Sequence, residues 1–218
     1  MIILARRRLA LLALLLAPVF ASAAEPAKPA KPVASKFVEV LATADTLRQV
    51  RAGGFTLYLR HGNTDNSRPD RVPNVDLDDC STQRVLNEEG RAVARRVGEA
   101  IRKARIAFGE MHISPLCRVR DTVAAAFPKV PYQVDKNLMY VANLTDEQKA
   151  PIIARTRQLL SAPVPAGSNR LVVAHAPNLM ELIGYFPKEG TLVIFRPKGT
   201  SFDYVASIPP THWASLLD

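Results

Sequence analysis

The sequence predicts an α/β fold: a three-layer α/β/α sandwich around a mostly parallel sheet with a terminal β pair. Three observations predict it. From about residue 37, short β-prone apolar runs alternate with segments of helical periodicity. The run Leu171-Val-Val-Ala-His175 is apolar enough to be buried on both faces, as strands of parallel sheets are. The last two β-prone runs follow one another with only Pro197-Lys-Gly199 between them, which suits a paired edge.

Taken in order, Phe55-Thr-Leu-Tyr-Leu-Arg60 follows Gly53-Gly54 and reads as the first buried strand. Glu88 to Arg105 reads as a helix, because Val93, Val97, Ala100, Ile101 and Ala104 recur at spacings of three and four while Arg and Glu fill the opposite face. Met111 to Ser114 is a second short strand, and Cys117 to Phe127 a helix stopped by Pro128. Thr145 to Leu160 is another helix, opened by Thr145 with Glu147 and Gln148 in its first turn. The Pro/Gly/Ser-rich loop 162–169 leads into the strand ending at His175, and Thr191 to Arg196 and Phe202 to Ile208 form the terminal pair. No internal repeat is present in the sequence.

The N-terminus carries a different signal. Arg6, Arg7 and Arg8 precede an apolar run from Leu9 to Phe20, then Ala21, Ser22, Ala23 and Ala24: the charged, apolar and small-residue order of a secretory signal peptide over residues 1–24. The alternative is an uncleaved anchor, but the run is well short of the roughly 20 apolar residues that span a bilayer. Cleavage after Ala23 or Ala24 is expected, leaving no stable membrane anchor and a periplasmic or secreted protein. Residues 25–36, with Pro26, Pro29 and Pro32 among Ala and Lys, read as an extended tether, and residues 37–218 as a single domain. The net charge of +9 falls to +6 without the three leader arginines and to about +4 without the tether. Such a balance suits an acidic partner, but no aromatic-basic motif supports nucleic acid.

Three predicted strands end in polar residues foreign to a core: Arg60-His61-Gly62, Ser114-Pro115 leading to Arg118, and His175. In open α/β sheets ligands bind at the carboxyl ends of the strands. Two arginines and two histidines, without enrichment in acids or thiols, make a poor metal cage and a good anion pocket. These residues resemble the histidine phosphatase superfamily, the phosphoglycerate mutase-like branch 1. Leu57-Tyr-Leu-Arg-His-Gly62 is similar to its Arg-His-Gly motif, Leu86-Asn-Glu-Glu-Gly-Arg91 to its Leu-Thr-x-x-Gly helix start, Ser114-Pro-Leu-Cys-Arg-Val-Arg-Asp-Thr122 to its second arginine segment, and Val172-Val-Ala-His175 to the strand that ends in its second histidine. The resemblance implies a phosphatase without cofactor or metal: His61 as nucleophile forming a phosphohistidine, His175 beside it, and Arg60 and Arg118 holding the phosphoryl oxygens. The substrate is then a small phosphate ester or phosphoramidate. A further resemblance, in Cys80-Ser-Thr-Gln-Arg84 and the C-terminal segment, to periplasmic relatives of the lipopolysaccharide core heptose phosphatase suggests an envelope glycolipid phosphate.

The pattern also departs from the family. Where its general acid is expected the chain has Leu138-Met-Tyr140, and His175 is followed by Ala176 instead of Asp. Glu189 is the leading candidate acid, with Asp135 and Glu181 behind it. Arg84, Arg120, Arg91, Arg95 and Arg96 read as solvated rim or helix face, and His112 and His212 as structural. Cys80 and Cys117, the two thiols, are candidates for a disulfide in an oxidising compartment, the alternative being two buried free thiols. Substrate choice is expected in loops 63–80 and 135–148. The competing reading is a binding module that captures phosphorylated ligands without turnover.

Overall fold

The computed structural model describes residues 36–72 and 74–218. The signal peptide and all of the tether but Lys36 lie outside the described residues. Helix α1 (Ala44–Arg51) is closed at its N-terminus by a reciprocal capping box between Thr43 and Thr46. There follow β1 (Thr56–Arg60), α2 (Glu88–Lys103), β2 (Glu110–Ile113), α3 (Cys117–Ala126), β3 (Gln133–Val134), α4 (Asp146–Ser161), β4 (Arg170–Ala174), α5 (Ala176–Ile183), β5 (Leu192–Pro197), β6 (Phe202–Ile208) and α6 (Trp213–Leu217).

The sheet runs β3-β2-β4-β1-β5-β6. Strands β3, β2, β4 and β1 are mutually parallel, while β5 runs antiparallel to both β1 and β6, so the terminal pair sits at one edge. Every residue of β1 and β4 is buried, as expected of central strands covered on both faces.

The period of two along each strand divides the core. Leu57, Leu59, Leu171, Val173, Leu192 and Ile194 face one layer, where they meet Val93, Val97 and Ile101 of α2, Val119 and Val123 of α3 and Trp213 of α6. Tyr58, Val172, Ala174, Val193 and Phe195 face the other, against Leu159 and Leu160 of α4 and Leu179 of α5. The three layers predicted are therefore present. Four elements were not read from the sequence: α1, β3, α5 and α6, none longer than eight residues. Short helices carry too few turns for their periodicity to stand out, and tertiary packing supplies most of their stability.

Candidate active site

Strands β1, β2 and β4 are neighbours and parallel, so their carboxyl ends open on the same side of the sheet. Each delivers a polar group there: β1 ends in Arg60 and continues into His61, β2 continues into Ser114, and β4 continues into His175, the N-cap residue of α5. Arg118 is the second residue of α3, and a helical side chain leans toward the N-terminus of its own helix, here toward the strand ends. The glycine of the Arg-His-Gly motif has a steric reason. A Cβ on Gly62 would lie 2.5 Å from the Gly90 carbonyl oxygen, and one on Gly90 would lie 2.0 Å from that of Asn63. The two glycines let the start of α2 lie directly against the segment that carries His61.

The two imidazoles lie edge to face, with ring centroids 5.3 Å apart. His61 Nδ1 is 2.8 Å from the Gly62 carbonyl. A carbonyl only accepts, so Nδ1 carries the proton and Nε2 the lone pair. Burial holds the pKa of His61 well below the ordinary histidine value, and the neighbouring charges of Arg118, Arg60 and Arg84 lower it further against the opposing pull of the Gly62 hydrogen bond. His175 is depressed in the same way, by burial first and then by Arg118. Both rings are neutral at pH 7. The Tyr58 phenol fixes His175, donating to its carbonyl at 2.8 Å and accepting from its backbone N–H at 3.1 Å. Ser114 Oγ lies 2.8 Å from His175 Nε2.

Each arginine is held by a carboxylate. Arg118 is wholly buried, and its Nη1 donates to Asp70 Oδ1 at 2.9 Å. Arg60 donates from Nη2 to Glu189 and from Nη1 to the Pro187 carbonyl at 2.5 Å, and its guanidinium lies 5.0 Å from the centre of the Phe186 ring. A buried guanidinium without such a partner is strongly destabilising, which accounts for the pairing. The pairing is nevertheless incomplete. Among the described residues, Arg60 Nε, Arg84 Nε, Arg118 Nε and Nη2, and His175 Nδ1 are buried and find no hydrogen-bond partner. Five nitrogens unsatisfied in one neighbourhood, on three guanidiniums and an imidazole, form a site chemically suited to an oxyanion.

Arg60, His61, Arg118 and His175, nominated from sequence, thus converge. Glu189 reaches the site as the ion-pair partner of Arg60. Asp135 and Glu181 are engaged elsewhere, by Arg155 at 2.7 Å and Lys149 at 2.7 Å. Tyr140, found where the family's acid was sought, places its ring 5.6 Å from that of His175 and 5.3 Å from the Arg118 guanidinium carbon. Arg84, grouped with the solvated rim, is half-buried: its Nη1 meets Asn66 at an exposed position, 3.4 Å away, while its Nε is enclosed. Asp70 was missed altogether, because no local pattern marks a carboxylate that meets its partner 48 residues later.

Cys80 and Cys117 form a disulfide, with Cα atoms 5.8 Å apart. It joins the loop before α2 to the first residue of α3, next to Arg118. Among the described residues no three His, Cys, Asp or Glu side chains converge as metal ligands do, and no helix is long and apolar enough to cross a membrane.

Parallel strands that deliver paired arginines and histidines to one sheet edge define a class of phosphoryl-binding α/β proteins. The family profile of the histidine phosphatase superfamily (branch 1) matches residues 57–162, the stretch that carries Arg60, His61 and Arg118. The match ends before His175, so the structure, through β4 alongside β1, brings the second histidine to the site. The fold is similar to that of the protein histidine phosphatase SixA complexed with tungstate, at 15% identity over 72% of this chain and 97% of that one, with a TM-score of 0.50. It is equally similar to a phosphoserine phosphatase mutant from Entamoeba histolytica in complex with phosphoserine, at 10% identity over 72% and 98% of the two chains and a TM-score of 0.50. At these identities the likeness is one of fold. No curated protein matches the chain.

Proposed function

We propose that the protein is an exported, metal-independent phosphatase that hydrolyses a phosphate monoester or phosphoramidate through a covalent phosphohistidine on His61. The observation that carries this reading is the set of unsatisfied buried nitrogens on Arg60, Arg118 and His175 around a neutral His61 whose proton is fixed on Nδ1. The His61 Nε2 lone pair forms the N–P bond as the bond from phosphorus to the leaving oxygen or nitrogen breaks. Water then attacks phosphorus, the N–P bond breaks with its electron pair returning to Nε2, and orthophosphate leaves. Charge spread over the equatorial oxygens is met by Arg60 and Arg118 in fixed orientations, which needs no reorganisation during the reaction. The scheme takes Ser114 as the donor to His175 Nε2, 2.8 Å away, which puts the His175 proton on Nδ1, where it serves the same oxygens.

Glu189 acts in this scheme by orienting Arg60. Its carboxylate is engaged as the acceptor of the Arg60 guanidinium, so the scheme assigns it no proton to give to the leaving group. Substrates whose leaving group needs little protonation are therefore favoured. A cavity of about 220 Å³ beside the site is lined by Asp70, Val72 and Val75 from one loop and Met139, Tyr140 and Leu144 from another. This supports assigning substrate choice to loops 63–80 and 135–148. The substrate is a small phosphorylated molecule, with an envelope glycolipid phosphate as the class suggested by sequence. Residues 1–24 act as the leader, 25–36 as the tether and 37–218 as the catalytic domain.

The test is turnover of a panel of aryl, alkyl, glycosyl and nitrogen-linked phosphates by the chain lacking residues 1–24, with chelator present. His61→Ala should lose at least about a thousandfold in kcat, the scale on which loss of a covalent nucleophile is felt. Glu189→Gln should raise KM while retaining most of kcat for a nitrophenyl ester. Phosphate binding without turnover of any compound would establish a capture module instead, and activity lost to chelator would remove metal independence.

A further inference from the structure

Arg84 lies outside the four segments that carry the superfamily resemblance, yet the fold sets its backbone against Asp70 and Arg118 and buries its Nε. Its backbone N–H donates to Asp70 Oδ1 at 2.8 Å, the oxygen that also accepts from Arg118 Nη1. Its carbonyl lies 3.4 Å from the same Arg118 nitrogen. One carboxylate oxygen therefore ties the Arg84 backbone and the Arg118 guanidinium together. The segment is fixed a second time just upstream. Gln83 accepts from the backbone N–H of Cys117 at 2.8 Å and donates to the Asp76 carbonyl at 2.6 Å, and Cys80 is bonded covalently to Cys117.

The Arg84 side chain is not used by these structural contacts. Among the described residues its one hydrogen bond is a long one, 3.4 Å from Nη1 to Asn66, and its buried Nε has no partner. Its charge disfavours protonation of Arg60, His61, Arg118 and His175 alike.

Resting on the phosphatase reading above, we propose that Arg84 is a third guanidinium of the phosphoryl pocket, presented to the bound oxyanion by the loop that the Cys80–Cys117 disulfide and Asp70 clip against α3. A structural arginine would have spent its donors on protein acceptors, as Arg170 does on Glu110 and on the carbonyls of Leu159 and Ala162. Arg60 is paired with Glu189 and Arg118 with Asp70, so among the described residues Arg84 is the one guanidinium of the three whose charge no carboxylate offsets through its side chain, and which is left to meet a dianion.

The probe is orthophosphate, measured by calorimetric titration and as a competitive inhibitor. Arg84→Gln should weaken orthophosphate about ten- to a hundredfold, the range of a charge-assisted hydrogen bond. Arg84→Lys should recover only part of the loss, since an ammonium lacks the planar fork. Arg48→Gln, which removes an exposed arginine paired with Asp45 on α1, should leave binding unchanged and so controls for net charge. A folded Arg84→Gln that binds orthophosphate like the parent overturns the assignment, and if that variant does not fold, parental binding by Arg84→Lys overturns it. Should His61→Ala abolish turnover while Arg84→Gln leaves binding intact, the phosphatase reading stands and this inference alone falls. If the parent itself neither binds orthophosphate nor turns over any ester, both fall together.

Discussion

At the scale of single residues, burial decides the chemistry of the two histidines. A neutral imidazole is the nucleophilic form, and a site enclosed by guanidiniums and low-dielectric walls keeps His61 neutral even in mildly acidic solution. The same depression carries a stability cost on acidification. The unfolded chain takes up protons on both histidines below the ordinary value of 6.5, while the folded chain does not until a lower pH. Stability is therefore whole above about pH 6.5 and is lost as pH falls below it, by at most about 1.4 kcal/mol per pH unit for each histidine. Urea unfolding between pH 7.5 and 5 should show this slope, and His61→Asn with His175→Asn should flatten it; an unchanged slope in the double variant would assign it to other groups. The four central residues were legible in the sequence because each ends a strand or opens a helix in a recognisable order. Arg84 and Asp70 were not, because their significance is a distance across the fold, and a charged residue in a polar loop looks the same whether it faces solvent or a neighbour's guanidinium.

At the scale of elements, the central strands were readable for a physical reason: burial on both faces demands an unbroken apolar run, as in Leu171 to Ala174. Helix α2 was readable because sixteen residues display their stripe several times over. Its contact with α3 is closer than sequence conveys, since a Cβ on Gly98 would lie 2.1 Å from the Ala126 carbonyl oxygen. Helix α5 went unread because Ala176-Pro-Asn belongs as much to the site as to the helix, with Pro177 in the first turn where its missing N–H costs nothing. The disulfide spans 37 positions and joins two elements that both border the proposed anion site. Cys80→Ser with Cys117→Ser should lower unfolding stability by about 2–4 kcal/mol, the usual worth of such a closure. It should also raise KM for a nitrophenyl phosphate more than it lowers kcat, because the loop carrying Asp70 and Arg84 loses an anchor. Equal denaturation midpoints with and without the bond would remove it as a structural clip.

At the scale of the whole molecule, the proposed leader and the proposed catalytic domain occupy different parts of the chain. If residues 1–24 act as the proposed leader, the exported protein should begin at Ala24 or Glu25, and N-terminal sequencing of material recovered from outside the cytoplasm checks this directly; an intact N-terminus on that material would point to an anchor. The sequence by itself determined the layer order, the resemblance to the superfamily and four residues at strand ends and at the start of α3, because periodicity and element termini are local properties written in neighbouring positions. Only the tertiary structure decided that Glu189 pairs with Arg60, that Asp70 holds Arg118, and that Arg84 stands with them. Those are contacts between segments distant along the chain, set by how loops close over a sheet edge, and no single stretch of residues encodes them.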